Sequence, residues 1–127
     1  MAKVLGLGGL FFKSQDPEGT RAWYTRVLGI EFEGWGGVVF EPATAAAHPG
    51  SGTVFSPFDV DSDYFAPSEE PFMFNLMVDD LPAMLTRCQN QGVEVLLHMP
   101  DEANGSFAHI MDPEGRKIEL WEPRPMA

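Results

Sequence analysis

A chain of 127 residues, 44% hydrophobic and 12% aromatic, makes one domain with enough apolar material for a core. Its net charge of −11, from 8 basic and 19 acidic side chains, repels phosphate backbones and argues against a nucleic-acid partner. No run reaches membrane-spanning length, so no membrane partner is expected; a single cysteine, Cys88, forbids an intrachain disulfide and points to a reducing, cytoplasmic setting.

In chain order, Leu5 to Lys13 is rich in apolar residues and predicts a strand. Its one lysine, Gly-rich centre and lack of a small-residue cleavage site argue against a signal peptide. Asp16 then supplies an N-cap, Pro17 fits the first helical position and Glu18 favours the helix dipole. The helix should run from Pro17 to about Leu28, with Gly29 as its left-handed stop. Residues 30–32, 36–41 and 52–58 read as strands, separated over 43–51 by a linker of small residues. An acidic, proline-punctuated stretch, 59–71, follows.

Phe72 to Val78 predicts another strand, and Asp79 or Asp80 caps a second helix with Pro82 early in it. Leu81, Met84, Leu85 and Cys88 keep the i, i+3, i+4, i+7 stripe of a helix packed on a sheet, which makes Cys88 a core residue. Gly92 ends that helix. Strands are expected at 93–98, 107–111 and 116–122, the last two joined by Asp112-Pro113-Glu114-Gly115, a type I turn signature.

The chain therefore repeats itself. Asp16 precedes Gly29 by 13 residues, Asp79 precedes Gly92 by 13, and the two copies lie 63 apart. A repeat of that length is a supersecondary unit, and two of them pair into one domain. The expected class is α+β, with two βαβββ modules at about 4–58 and 72–123 joined by the 59–71 linker.

Two stretches resemble the vicinal oxygen chelate superfamily, which groups glyoxalase I, bleomycin-resistance proteins and extradiol dioxygenases. One runs from Asp16-Pro17-Glu18 through Trp23-Tyr24 to Leu28-Gly29; the other is Met111 to Pro123, containing Asp112-Pro113-Glu114-Gly115-Arg116-Lys117-Ile118-Glu119. The resemblance implies paired modules whose sheets curl around a cleft, built into a homodimer. It also implies ligand positions on the first and last strands of each module. Gly9, Met73 and Ser56 stand at three of these, and only Glu119 matches a metal-ligating residue type. One carboxylate does not hold a transition metal against water, so the implied cofactor is none, although a divalent metal is compatible with Glu119 if other ligands join it. His48 lies in the small-residue linker. His98 and His109 lie on consecutive strands, away from the implied ligand positions.

Strand alternation predicts what lines the cleft. With Glu119 inward, Lys117 and Trp121 follow it; Leu7, Gly9 and Phe11 face in on the first strand, and Met73, Asn75 and Met77 on the fifth. Trp35, on a Gly-flanked turn, is a further stacking candidate. The ligand-binding set is thus Phe11, Trp35, Ser56, Met73, Asn75, Met77 and Trp121, with Glu119 and His109 as the groups able to do chemistry. In the 59–71 linker, Asp59, Asp61, Asp63 and Glu70 imitate calcium-loop spacing, but Tyr64 stands where glycine is required and prolines exclude the flanking helices. An acidic surface loop is the better reading, with Tyr64 and Phe65 as a lid over the cleft or a dimer contact.

Two functions follow. One is a metal-free protein of bleomycin-resistance type that binds a small apolar, aromatic or cationic molecule. The other is a lactoylglutathione-lyase-like or dioxygenase-like enzyme using Glu119 as metal ligand or base.

Overall fold

The computed structural model describes residues 1–126. It is an α+β protein with helices α1 (Pro17–Leu28), α2 (Pro42–Ala46) and α3 (Leu81–Asn90) and strands β1 (Phe74–Met77), β2 (Leu97–Glu102), β3 (Gly105–Met111) and β4 (Lys117–Pro123). The strands form one mixed sheet in the order β1-β4-β3-β2, with β1 parallel to β4 and the other pairs antiparallel.

Local chemistry fixes the two long helices where the sequence places them. Asp16 accepts from the Gly19 amide at 3.0 Å, and Asp80, rather than Asp79, accepts from the Ala83 amide at 3.0 Å. Gly29 ends α1 at φ +74°, in the left-handed region that a side chain rarely tolerates. Trp23, Tyr24, Val27 and Leu28 of α1 and Leu81, Leu85 and Cys88 of α3 meet Phe74, Ala108, Ile110, Ile118 and Leu120 on one face of the sheet. The period-two pattern of β4 accounts for that division: Ile118 and Leu120 go to the helices, and Lys117, Glu119 and Trp121 to the other face.

The second module thus assembles as β-α-β-β-β. The first contributes its helix, but among the described residues the segments 5–13, 30–32, 36–41 and 52–58 enter no strand ladder. Their apolar character signals a demand for burial; it does not specify that the same chain meets it. The β2 strand also starts later than expected, at Leu97, and residues 42–46 of the linker form a short helix because Pro42 sits at its first turn and Ala follows.

A buried polar clasp ties α1 to the turn between β3 and β4. Arg116 donates to Asp112 at 2.7 Å, to the Lys13 carbonyl at 2.7 Å and to Glu114 at 2.8 Å. Tyr24 on α1 donates to Asp112 at 2.7 Å, and Ser14 to Glu114 at 2.8 Å. Asp112 also accepts from the amides of Glu114 and Arg116, at 2.9 and 3.0 Å. The Ser14 hydroxyl, and with it the Gln15 amide, Thr20 and Arg116, holds the Glu114 carboxyl down to about 2 against a smaller opposing effect of burial. The Asp112-Pro113-Glu114-Gly115-Arg116 motif is therefore a fastening between the two halves of the sequence.

Arg116→Met should lower the unfolding free energy by about 3 kcal/mol or more, because it leaves the buried Asp112 carboxylate without its cation. Asp101→Asn, which removes the exposed 3.5 Å contact with Arg124, should change it by less than about 0.5 kcal/mol. Urea unfolding at neutral pH reads both; equal effects from the two variants would refute the clasp.

Candidate functional site

The sheet face opposite the helices carries the site. One row of register partners crosses three strands there: Asn75 on β1, Glu119 on β4 and His109 on β3. The next row is Met77, Trp121, Phe107 and Met99. Phe107 and Trp121 lie parallel, 1° apart, with ring centroids 6.0 Å apart, and the Trp121 indole donates to the Asn104 carbonyl at 3.0 Å.

Glu119 is the focus. Its Oε1 accepts from Asn75 Nδ2 at 2.8 Å, and its Oε2 accepts from the Tyr64 hydroxyl at 2.5 Å and from His109 Nε2 at 2.8 Å. Burial pushes the carboxyl up, but donation from His109, Tyr64 and Asn75, with the attraction of His109, brings it net below its ordinary range. The group is held as a carboxylate inside the protein. Since a carboxylate only accepts, the Nε2 of His109 carries the proton, and its buried Nδ1 has no partner among the described residues.

Tyr64 arrives from the 59–71 linker and lies edge-on to His109, with ring centroids 5.4 Å apart. Burial and the neighbouring Glu119 both raise its hydroxyl's pKa, so it stays protonated. Lys117, one row from Glu119, donates to the carbonyls of Tyr64 and Ala66 at 2.7 and 2.9 Å and sits over the Tyr64 ring. Burial lowers the Lys117 pKa against the opposing pull of Glu119 and Asp63.

Between this face and the linker lies a cleft of about 900 Å³, the size of a small-molecule site. Glu119, Asn75, Trp121, Met73 and Ser56, all expected from the sequence, line it. His109 touches the site through Glu119. Met77 stands on the same face beyond the cleft's edge, 37% exposed. Two further expected residues fall outside. Phe11 is 93% exposed on a segment that no strand pairs with, and Trp35, 70% exposed, covers Gly37 on its own turn. Alternation was the argument for Phe11, and it holds only where a ladder fixes the faces. His48 binds the Pro123 carbonyl at 2.9 Å instead of standing free in solvent.

Tyr64, Phe72 and Phe107 join the lining without having been assigned to it. Phe107 was within reach of the sequence, being two residues from His109 on the same strand. Tyr64 was marked only as a lid or contact residue, because a loop has no period that says where its side chains point.

Gly9 lies outside the cleft lining, and Met73, which does line it, offers only a thioether. Among the described residues no three His, Cys, Asp or Glu side chains come close enough to share a metal ion. Glu119 with His109 supplies one carboxylate and one imidazole already bonded to each other, a donor set that does not fit a three-ligand transition-metal centre.

Glu119→Gln should destabilise the fold by about 1–3 kcal/mol at pH 7, since an amide cannot accept from all three donors. A carboxyl lowered by folding contributes stability above its unfolded value of about 4.3 and loses it as pH falls through the lower folded value. The gap between wild type and Glu119→Gln should therefore close in acid. Thermal melts across that range test it; a gap constant with pH would show that Glu119 is not held ionised.

The model of a glyoxalase-like domain matches residues 9–121. Comparison with curated proteins returns no match. Among solved structures, similarity extends to TnmS3, an antibiotic binding protein from Streptomyces sp. CB03234, at 35% identity over 40% of this chain and 41% of that one, with a TM-score of 0.36. With the family model covering most of the sequence and both halves of the motif pattern, the chain belongs to the glyoxalase-like domain family of the vicinal oxygen chelate superfamily.

Proposed function

We propose that this protein binds a small, flat apolar or aromatic molecule in the cleft without a transition metal. The observation that carries the reading is the pairing of aromatic walls, Phe72, Phe107 and Trp121, with one buried polar focus whose carboxylate is satisfied by protein donors. Because three protein donors already reach Glu119, a cationic group gains less there than at a bare carboxylate. Cations are favoured instead at the mouth, which Asp59, Asp63, Glu69 and Glu70 line.

An enzyme using Glu119 as base is the second reading, supported by its 2.8 Å contact with His109. It is weaker on physical grounds, since a carboxylate held below its ordinary range is a poor proton acceptor at neutral pH.

The working unit in this reading is a pair of chains. Residues 4–12 and 34–58 contain one charged side chain, Glu41, while Val4, Leu5, Phe11, Phe40, Val54 and Phe55 are between 66% and 93% exposed. The large apolar side chains of these segments leave roughly 1,500 Å² open, if each exposes on the order of 150–200 Å² when free. That exceeds the roughly 800 Å² per partner of a standard interface, and charge depletion is what an interface core shows. A second copy brings the same unpaired segments and needs no other component.

Titration with neutral, cationic and anionic aromatic dyes of similar size should change tryptophan fluorescence for the first two and not for the third. Trp121→Phe should remove the response and Trp35→Phe should leave it; the reverse would place the site elsewhere. Sedimentation at tens of micromolar should give about twice the 14.0 kDa chain mass, and Val54→Asp with Phe55→Glu should halve it. A wild-type monomer at that concentration would sink the paired arrangement.

A further inference from the structure

We propose that Tyr64 is a built-in stand-in for the ligand, its phenol holding the place on Glu119 that the hydroxyl of a hydroxylated aromatic molecule takes on binding. The inference deepens the cleft-binding reading and rests on it. Three donors reach Glu119, and they differ in how they are held. Asn75 and His109 stand on strands in register with Glu119, so the sheet keeps their backbones beside it. Tyr64 belongs to the linker, and its neighbours Asp59 to Asp63 are exposed. It is the one donor of the three that the sheet does not carry.

What Tyr64 occupies describes what would replace it. Its hydroxyl donates to Glu119 Oε2 at 2.5 Å and lies 3.4 Å from His109 Nε2, while its ring stands at 85° to His109 and at 34° to Phe58, 5.4 and 5.7 Å between centroids. The spot therefore takes a flat ring with a hydroxyl at its inner end. Exchange conserves the count of hydrogen bonds, because a ligand phenol donates to the same carboxylate oxygen that the Tyr64 phenol releases. An aromatic molecule without a donor leaves Glu119 one hydrogen bond short in a buried setting, and a site built around a hydroxyl rejects its deoxy analogue strongly. Lys117 is placed to restrain the exchange, since its ammonium grips the carbonyls of Tyr64 and Ala66 from a fixed position on β4.

The experiment compares 2-naphthol with 2-methylnaphthalene, probes of nearly equal size that differ in the hydroxyl, by fluorescence titration of wild type, Tyr64→Ala and Tyr64→Ala with Glu119→Gln. Removing the competitor should tighten 2-naphthol by about tenfold and 2-methylnaphthalene by no more than about twofold, with the difference lost when Glu119 is also changed. If Tyr64→Ala does not fold by circular dichroism, Tyr64→Phe removes the hydroxyl alone and should show the same preference at about threefold. Equal gains for both probes, or no gain, overturn the stand-in role while leaving the cleft reading intact. Failure of every protein to bind either probe overturns both.

Discussion

The buried pair of Asp112 and Arg116 is the interaction on which the remaining structure depends. Asp112 is 5% exposed and Arg116 3%, so each charge relies on the other and on the donors and acceptors around them. Those partners come from three places in the chain: Tyr24 on α1, the carbonyl of Lys13 and the turn itself. With the turn fixed, β3 and β4 are held in register and α1 is seated against α3. The next alternate residues along β4, Lys117, Glu119 and Trp121, are then committed to the opposite face. A surface pair such as Asp101 and Arg124 exerts no such control, because water supports either charge alone.

Glu119 shows what a buried carboxylate requires of its surroundings. A buried carboxylate needs compensation, and a metal ion is one form of it. Here compensation comes from the neutral donors Asn75 and Tyr64 and from His109, two of them on the same sheet row. Hydrogen bonds of this kind keep the charge and occupy three of the carboxylate's roughly four acceptor positions.

Legibility in the sequence followed the presence of a period. Both long helices, their caps and the Gly29 stop could be read because each rests on residues within a few positions of one another. Glu119, Asn75 and Trp121 were placed in the cleft because β1 and β4 are paired and their alternation is therefore real. Phe11 failed on the same rule, since its segment lacks a partner to define inside and outside. His109 was visible as a polar residue on the right strand, but its bond to Glu119 depends on a register that no local pattern encodes. Tyr64 could not be placed from sequence because its position depends on where a proline-punctuated loop crosses the sheet.

The unpaired segments and the cleft meet at residues 54–58. Ser56 and Phe58 line the cleft, whereas Phe55, next to Ser56, is 88% exposed and outside the lining. One short stretch therefore has a face toward the ligand and a face toward whatever covers the apolar surface. If that cover is a second chain, whatever orders 54–58 in the pair also shapes the wall that the ligand meets. Association and binding are then linked, and whatever one does to the other is returned to the same extent. Ligand affinity in such an arrangement changes with protein concentration until the pair is complete. A cleft closed within one chain has no such dependence.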